Sequence, residues 1–141
     1  MAQIKADYKD AIDNAPKDGA PCLLGTASAD GQPEISPKGS VVVYNAENLA
    51  YWERSHRGSA ANIADNPRVM IYYRNPQRAE TLPPGAALRF YGTATVVTDD
   101  TVRNAIYEMI PEREQKADAE RTGYAVMVRI DRITDLRGAD V

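Results

Sequence analysis

Arginines, hydroxyls and the chain's single histidine gather in Arg54-Ser55-His56-Arg57-Gly58-Ser59. This segment lies between a strand-like run, Leu49-Ala50-Tyr51-Trp52-Glu53, and a short helix-like run that Pro67 must end. The chemistry such a turn suits is capture of a phosphate. The first amides of a helix lack internal acceptors and sit at the positive end of its dipole. Ser59 is the expected N-cap, and Arg54 and Arg57 add full charges beside it. A strand that delivers such a turn builds an anion site. Other chemistries are poorly served. Cys22 is the sole cysteine and His56 the sole histidine, so one chain can form neither an internal disulfide nor a cysteine or multi-histidine metal centre. A nucleophile pair would require Cys22 and His56 to meet. Glu108, Glu112 and Glu114 fall in a charged run that reads as a solvated helix face, not as paired catalytic carboxylates.

The elements that must position this turn follow from periodicity. Ile4, Tyr8, Ala11, Ile12 and Ala15 recur at helical spacing over 3–15, and Pro16 stops the run. Residues 22–28 read as a buried strand, with Asp30-Gly31 as a hairpin turn. A second strand is expected from Pro33 to Tyr44, with Ile35, Val41 and Val43 on one face and Ser36, Lys38 and Ser40 on the other. Strands are further expected over 49–53, 68–73, 88–96 and 124–133. The alternation of Leu88, Phe90, Gly92, Ala94 and Val96 with Arg89, Tyr91, Thr93 and Thr95 gives one of them a core face and a face toward solvent or ligand. Val102, Ala105, Ile106, Met109 and Ile110 form an amphipathic helix begun near Asp99 and ended by Pro111. Helices do not alternate with strands, so the expectation is a mainly β chain, an antiparallel sheet curling into a barrel with a few peripheral helices.

The 141 residues suffice for one domain over 1–141 with a real core. A net charge of −3 argues against a general nucleic-acid or anionic-membrane binder. No apolar run approaches the ~20 residues that span a bilayer, and the first residues carry no apolar signal segment, so a cytoplasmic location is expected.

Four segments carry a resemblance by their order and spacing. They are Leu24-Gly25-Thr26-Ala27-Ser28-Ala29-Asp30-Gly31-Gln32-Pro33, Ile35-Ser36-Pro37-Lys38-Gly39-Ser40, Asp65-Asn66-Pro67-Arg68-Val69 and Phe90-Tyr91-Gly92-Thr93-Ala94. Over about residues 20–98, and more weakly elsewhere, the chain resembles the pyridoxamine 5'-phosphate oxidase-like family of FMN-binding split β-barrels. The resemblance implies a homodimer with FMN in a groove between subunits. Ser36, Pro37, Lys38 and Gly39 would border the ring and ribityl chain. Trp52, Glu53, Arg54 and Ser55 would continue toward the phosphate, and Arg57, Gly58 and Ser59 would hold it. Arg89 or Tyr91 would approach the ring, from the same subunit or across the interface. A cation at Lys38 near the flavin's N1–C2=O edge would favour the reduced ring.

The family's oxidases commonly carry an Arg-Lys pair where this chain has Gly58-Ser59. The loss weakens phosphate binding unless Arg54, Arg57 and Lys38 substitute. The tryptophan and arginine region that holds substrate in true pyridoxamine-phosphate oxidases is not identifiable. The expectation is therefore an FMN flavoprotein exchanging electrons with a small molecule, a reduced nicotinamide among the candidates, and not the vitamin B6 enzyme. The alternative is a non-catalytic flavin carrier or sensor. A deazaflavin would want more cations than this turn offers, and one turn histidine is a poor basis for haem ligation.

Overall fold

The structure is a computed structural model and describes residues 2–141. Its strands are β1 (Cys22–Ala27), β2 (Pro33–Lys38), β3 (Val42–Asn45), β4 (Asn48–Glu53), β5 (Arg68–Arg74), β6 (Ala87–Val96) and β7 (Tyr124–Thr134). The helices are α1 (Ala6–Asp13), α2 (Ser59–Asp65), α3 (Asp100–Met109) and α4 (Glu112–Ala117), with a 3-10 turn at Pro76–Arg78. All strand pairs are antiparallel, in the order β2-β1-β5-β6-β7-β4-β3. The edge strands β2 and β3 do not pair with each other, and the mainly β, antiparallel architecture is the one expected from the alternation.

Inward-facing Leu24, Tyr51, Ile71, Tyr73, Phe90 and Ile130 are fully buried and fill the interior. Each such side chain stabilises the fold by roughly 1.5–3 kcal/mol. α1 lays Tyr8, Ala11 and Ile12 against the same core. Its Asp13 carboxylate accepts from the Val43 amide at 2.9 Å, which anchors edge strand β3. On the outer face of β4, Ala50 and Trp52 form a second core with Ile106, Tyr107 and Ile110. Strand β4 is thus buried on both faces, Leu49 and Tyr51 inward and Ala50 and Trp52 toward α3. The register between β6 and β7 slips at Tyr91/Gly92, where a Cβ on Gly92 would collide with the Arg129 carbonyl. The long strands therefore need glycine there to bend.

Three expectations are corrected. The strand expected over Pro33–Tyr44 is two strands at opposite edges of the sheet, joined by a corner at 39–41. The physical reason is at Ser40. Its hydroxyl accepts from the Trp52 amide and donates to the Trp52 carbonyl, both at 3.0 Å, so a side chain replaces ladder bonds where the chain crosses over. Because of that corner, Ile35 does not share a face with Val41 and Val43. They are buried, while Ile35 is 71% exposed. Finally, Met109 lies at the solvent edge of α3 at 40% exposed, outside the apolar stripe expected for it.

Candidate functional site

The corner after β2 and the end of β4 enclose a groove of about 320 Å³ lined by Pro37, Lys38, Gly39, Ser40, Trp52, Glu53, Arg54, Ser55 and Glu114. Its size is at the low end for a ligand pocket. Gly39 has no side chain to hold α4 away. The Glu114 carboxylate packs 3.0 Å from where a Cβ would sit, which brings α4 over the groove.

The closed end is a buried ionic network. Lys38 Nζ donates to both carboxylate oxygens of Glu53 at 2.9 Å. Glu53 is 2% exposed, and it also accepts from the Ser59 hydroxyl and the Ser55 amide, each at 3.2 Å. Lys38 lies 5.6 Å from the centre of the Tyr51 ring, which adds an aromatic face to the cation's surroundings. Lys38 is therefore largely buried and neutralised, not a free cation for a ring edge. Burial, together with the charge of Glu53, pushes the Tyr51 hydroxyl above its usual range.

The expected cap at Ser59 is also corrected. Gly58 is the N-cap of α2, in the left-handed region at φ 58°, and Ser59 is the first helical residue. Its hydroxyl turns back to Glu53 because that carboxylate, buried one strand end away, needs donors more than the helix amides do. That backbone conformation favours glycine at 58, and the Glu34 carboxylate packs where a Cβ would sit.

One wall of the groove is held from outside by residues the sequence reading did not select. Trp52 Nε1 donates to Asp118 at 2.8 Å, and its ring meets Tyr107 edge-on at 5.1 Å and Arg103 at 4.8 Å. Arg103 in turn donates to the carbonyls of Arg121 and Gly123. The Trp52 ring is thus committed to the second core, and its main chain borders the groove. Asp118 also accepts from the Gly123 amide and from the amide and hydroxyl of Thr122. Burial pushes this carboxyl up, but the bonds from Trp52, Gly123 and Thr122 outweigh it and hold the group well below the usual carboxylate range. The only sequence signal for this anchor is that Asp118 lies among charged residues before Gly123; its contact with Trp52 spans 66 positions.

The remaining sequence candidates are distributed as follows. Arg54, Ser55, His56 and Arg57 are exposed; Arg54 and Ser55 line the groove, whereas His56, Arg57 and Ser59 do not. Among the described residues neither guanidinium of Arg54 and Arg57 has a carboxylate partner. The His56 ring lies 5.7 Å from that of Tyr124. Ser36 is half-buried on β2 and does not line the groove. Arg89 and Tyr91 do not line this groove. Arg89 donates to the carbonyls of Asp135 and Leu136 and borders an apolar groove with Leu23, Ile35, Met70 and Tyr72. Tyr91 lies under the Arg132 guanidinium at 5.9 Å in a third groove. Cys22 is buried in the barrel, where desolvation and the nearby Asp13 push its thiol up to about 12, so it carries no nucleophile at neutral pH. The described residues contain no cluster of three or more metal-ligating side chains, and no helix long and apolar enough to cross a membrane.

The family model for pyridoxamine 5'-phosphate oxidase matches residues 8–133. A search of curated proteins finds no significant match. Among solved structures, HupZ of Group A Streptococcus is 28% identical with a TM-score of 0.70, covering 98% of each chain. An FMN-binding protein from Syntrophomonas wolfei superimposes with a TM-score of 0.71 at 10% identity, covering 91% of this chain and 83% of that one. HutZ, the heme storage protein from Vibrio cholerae, gives a TM-score of 0.66 at 18% identity over 94% of each chain. At such identities the last two likenesses are of fold.

Proposed function

This chain belongs to the pyridoxamine 5'-phosphate oxidase family, and on that premise we propose that its Lys38 groove binds FMN non-covalently in a homodimer and serves electron exchange with a small molecule. The observation that carries the reading is the groove between the β2 corner and the end of β4, with the unpartnered guanidinium of Arg54 on its lining. The residues fit the cofactor in part. Pro37, Gly39 and the main chain of Trp52 offer a narrow wall for a planar ring, and Arg54 and Arg57 offer charge to a phosphate at the rim. When bound, the flavin ring supplies the redox chemistry. The chain's own residues position it. Ser40 fixes the corner against β4, Asp118 fixes Trp52, and Glu114 covers Gly39.

The visible spectrum of freshly isolated protein, followed by FMN titration of the colourless fraction, tests the reading. Flavin absorbance, or saturable uptake, is the expected result, and a protein that neither carries nor takes up FMN overturns it. Arg57→Ala should weaken FMN binding by about 1 kcal/mol without lowering stability, because the exposed side chain would meet the phosphate only in solvent and makes no internal contact that folding needs. Equal affinity in the variant would remove Arg57 from the site. The alternative reading is a non-catalytic flavin carrier. Stopped-flow reduction by NADH and NADPH separates the two: a holoprotein reduced no faster than free FMN is a carrier. Haem titration of the same apoprotein checks the chemistry named for HutZ.

The dimer is supported by the apolar outer face of β2, β1 and β5. Ile35 stands 71% exposed beside Leu23, Met70 and Tyr72, with Arg89 at the edge. A solitary exposed isoleucine needs no explanation, but one that crowns an apolar groove is suited to burial against a second copy. Ile35→Glu should convert a dimer to a monomer by light scattering and weaken FMN uptake with it. A monomeric wild type, or a dimer indifferent to the charge, would count against this face.

A further inference from the structure

The groove's strongest donors are already taken, and the acceptor is part of the chain. Glu53 receives four hydrogen bonds: two from Lys38 Nζ, one from the Ser59 hydroxyl and one from the Ser55 amide. These are a cation, a hydroxyl and a main-chain N–H converging on two oxygens, which is the donor set a phosphate would require. The carboxylate is 2% exposed, and the end of β4 holds its backbone in place. A Cβ on Gly123 would collide with the Glu53 carbonyl, so β7 packs directly against that strand end. An anion entering the closed end would lose these donors to Glu53 and would face its negative charge in a poorly hydrated space. Of the two guanidiniums without carboxylate partners, Arg54 borders the groove and Arg57 is exposed beyond its lining.

We propose that Glu53 acts as a built-in anion that keeps phosphate out of the closed end of the groove, making it the residue that sets the site's selectivity among flavins. The inference rests on reading the groove as a flavin site. The ligand class follows: a flavin whose uncharged parts fill the closed end, with any charged group confined to the rim at Arg54 and Arg57. Riboflavin, which lacks the phosphate, is then nearly as good a ligand as FMN.

Sulfate, a divalent anion of constant charge near neutrality, is the probe for the closed end. It is titrated into isotope-labelled full-length chain at fixed ionic strength, and the Ser55 and Ser59 amide resonances are followed. The wild type should show no saturable shift below about 50 mM. Glu53→Gln keeps the side-chain shape but leaves Lys38 unneutralised, and should bind sulfate at least tenfold more tightly at those amides. In parallel, wild type should hold FMN within tenfold of riboflavin, whereas Glu53→Gln should favour FMN by a further tenfold or more. Saturable sulfate binding to the wild type at a few millimolar, or equal anion affinity in both proteins, overturns the proposal. Should Glu53→Gln fail to fold, the wild-type sulfate titration decides alone: no saturation supports the proposal and saturation overturns it. The flavin reading fails separately. If neither flavin binds either protein while sulfate distinguishes them, the groove is not a flavin site and the role of Glu53 stands.

Discussion

Lys38→Met should lower the unfolding free energy by about 3–5 kcal/mol, because it leaves a buried carboxylate without its cation. Glu53 is 2% exposed, and both its oxygens take a 2.9 Å bond from Lys38. The remaining donors, Ser59 and the Ser55 amide, are neutral and longer at 3.2 Å. The ammonium itself is mostly covered, its side chain 14% exposed, so screening by water does little to soften the loss. The pair is not thereby a large net stabiliser. Taking two ions out of water costs nearly as much as their attraction returns, so Lys38→Met/Glu53→Met should recover most of the loss. Denaturant unfolding followed by the fluorescence of Trp52, the only tryptophan, gives the full double-mutant cycle. A loss below about 1 kcal/mol for the single variant would mean that the carboxylate reaches water and the network is a surface one.

That pair also shows where sequence reasoning stops. The strands were legible because two-residue alternation survives in one dimension: Leu88, Phe90 and Ala94 in β6 are buried as their spacing requires. The helix at Asp100–Met109 was legible from its cap, and Asp99 does accept from the Val102 amide at 3.0 Å. The corner at 39–41 was not. Ser40 reads as one more polar position in an alternating strand, and its two bonds to Trp52 exist only once β4 lies beside it. The same holds at Ser59. Residue type and position favour a cap, but a buried carboxylate six residues earlier claims the hydroxyl. Lys38, Glu53, Arg54 and Ser55 were chosen for a site and do line one groove. What the sequence did not disclose is that two of them neutralise each other. Charge pairing depends on three-dimensional distance, and 15 positions separate these residues.

The anchor on the groove's outer wall yields the other large effect. Asp118→Ala should cost about 3–5 kcal/mol, since it strands the Trp52 and Gly123 N–H groups in a packed core that admits little water. Asp118→Asn keeps one acceptor oxygen and most of the volume, and should cost less, about 1–3 kcal/mol, through loss of charge-assisted bonding. The two substitutions make different predictions about acid. The Asp118 carboxyl is held well below its unfolded value of 3.8, so its contribution is fully present above that value. It is lost as pH falls below about 4 toward the folded value, because the unfolded chain then binds the proton first. The stability gap between wild type and Asp118→Asn should therefore be constant from about pH 8 to 5 and narrow below about pH 4. Trp52 reports the same event directly. Loss of its 2.8 Å bond and of the Tyr107 and Arg103 contacts should shift its emission to the red in Asp118→Ala while the fold persists. Since the Trp52 main chain is also bonded to Ser40 at the groove's corner, FMN affinity should fall in step with that shift. An unshifted emission with full FMN affinity would mean that the second core holds Trp52 without Asp118, and that the wall is positioned by packing alone.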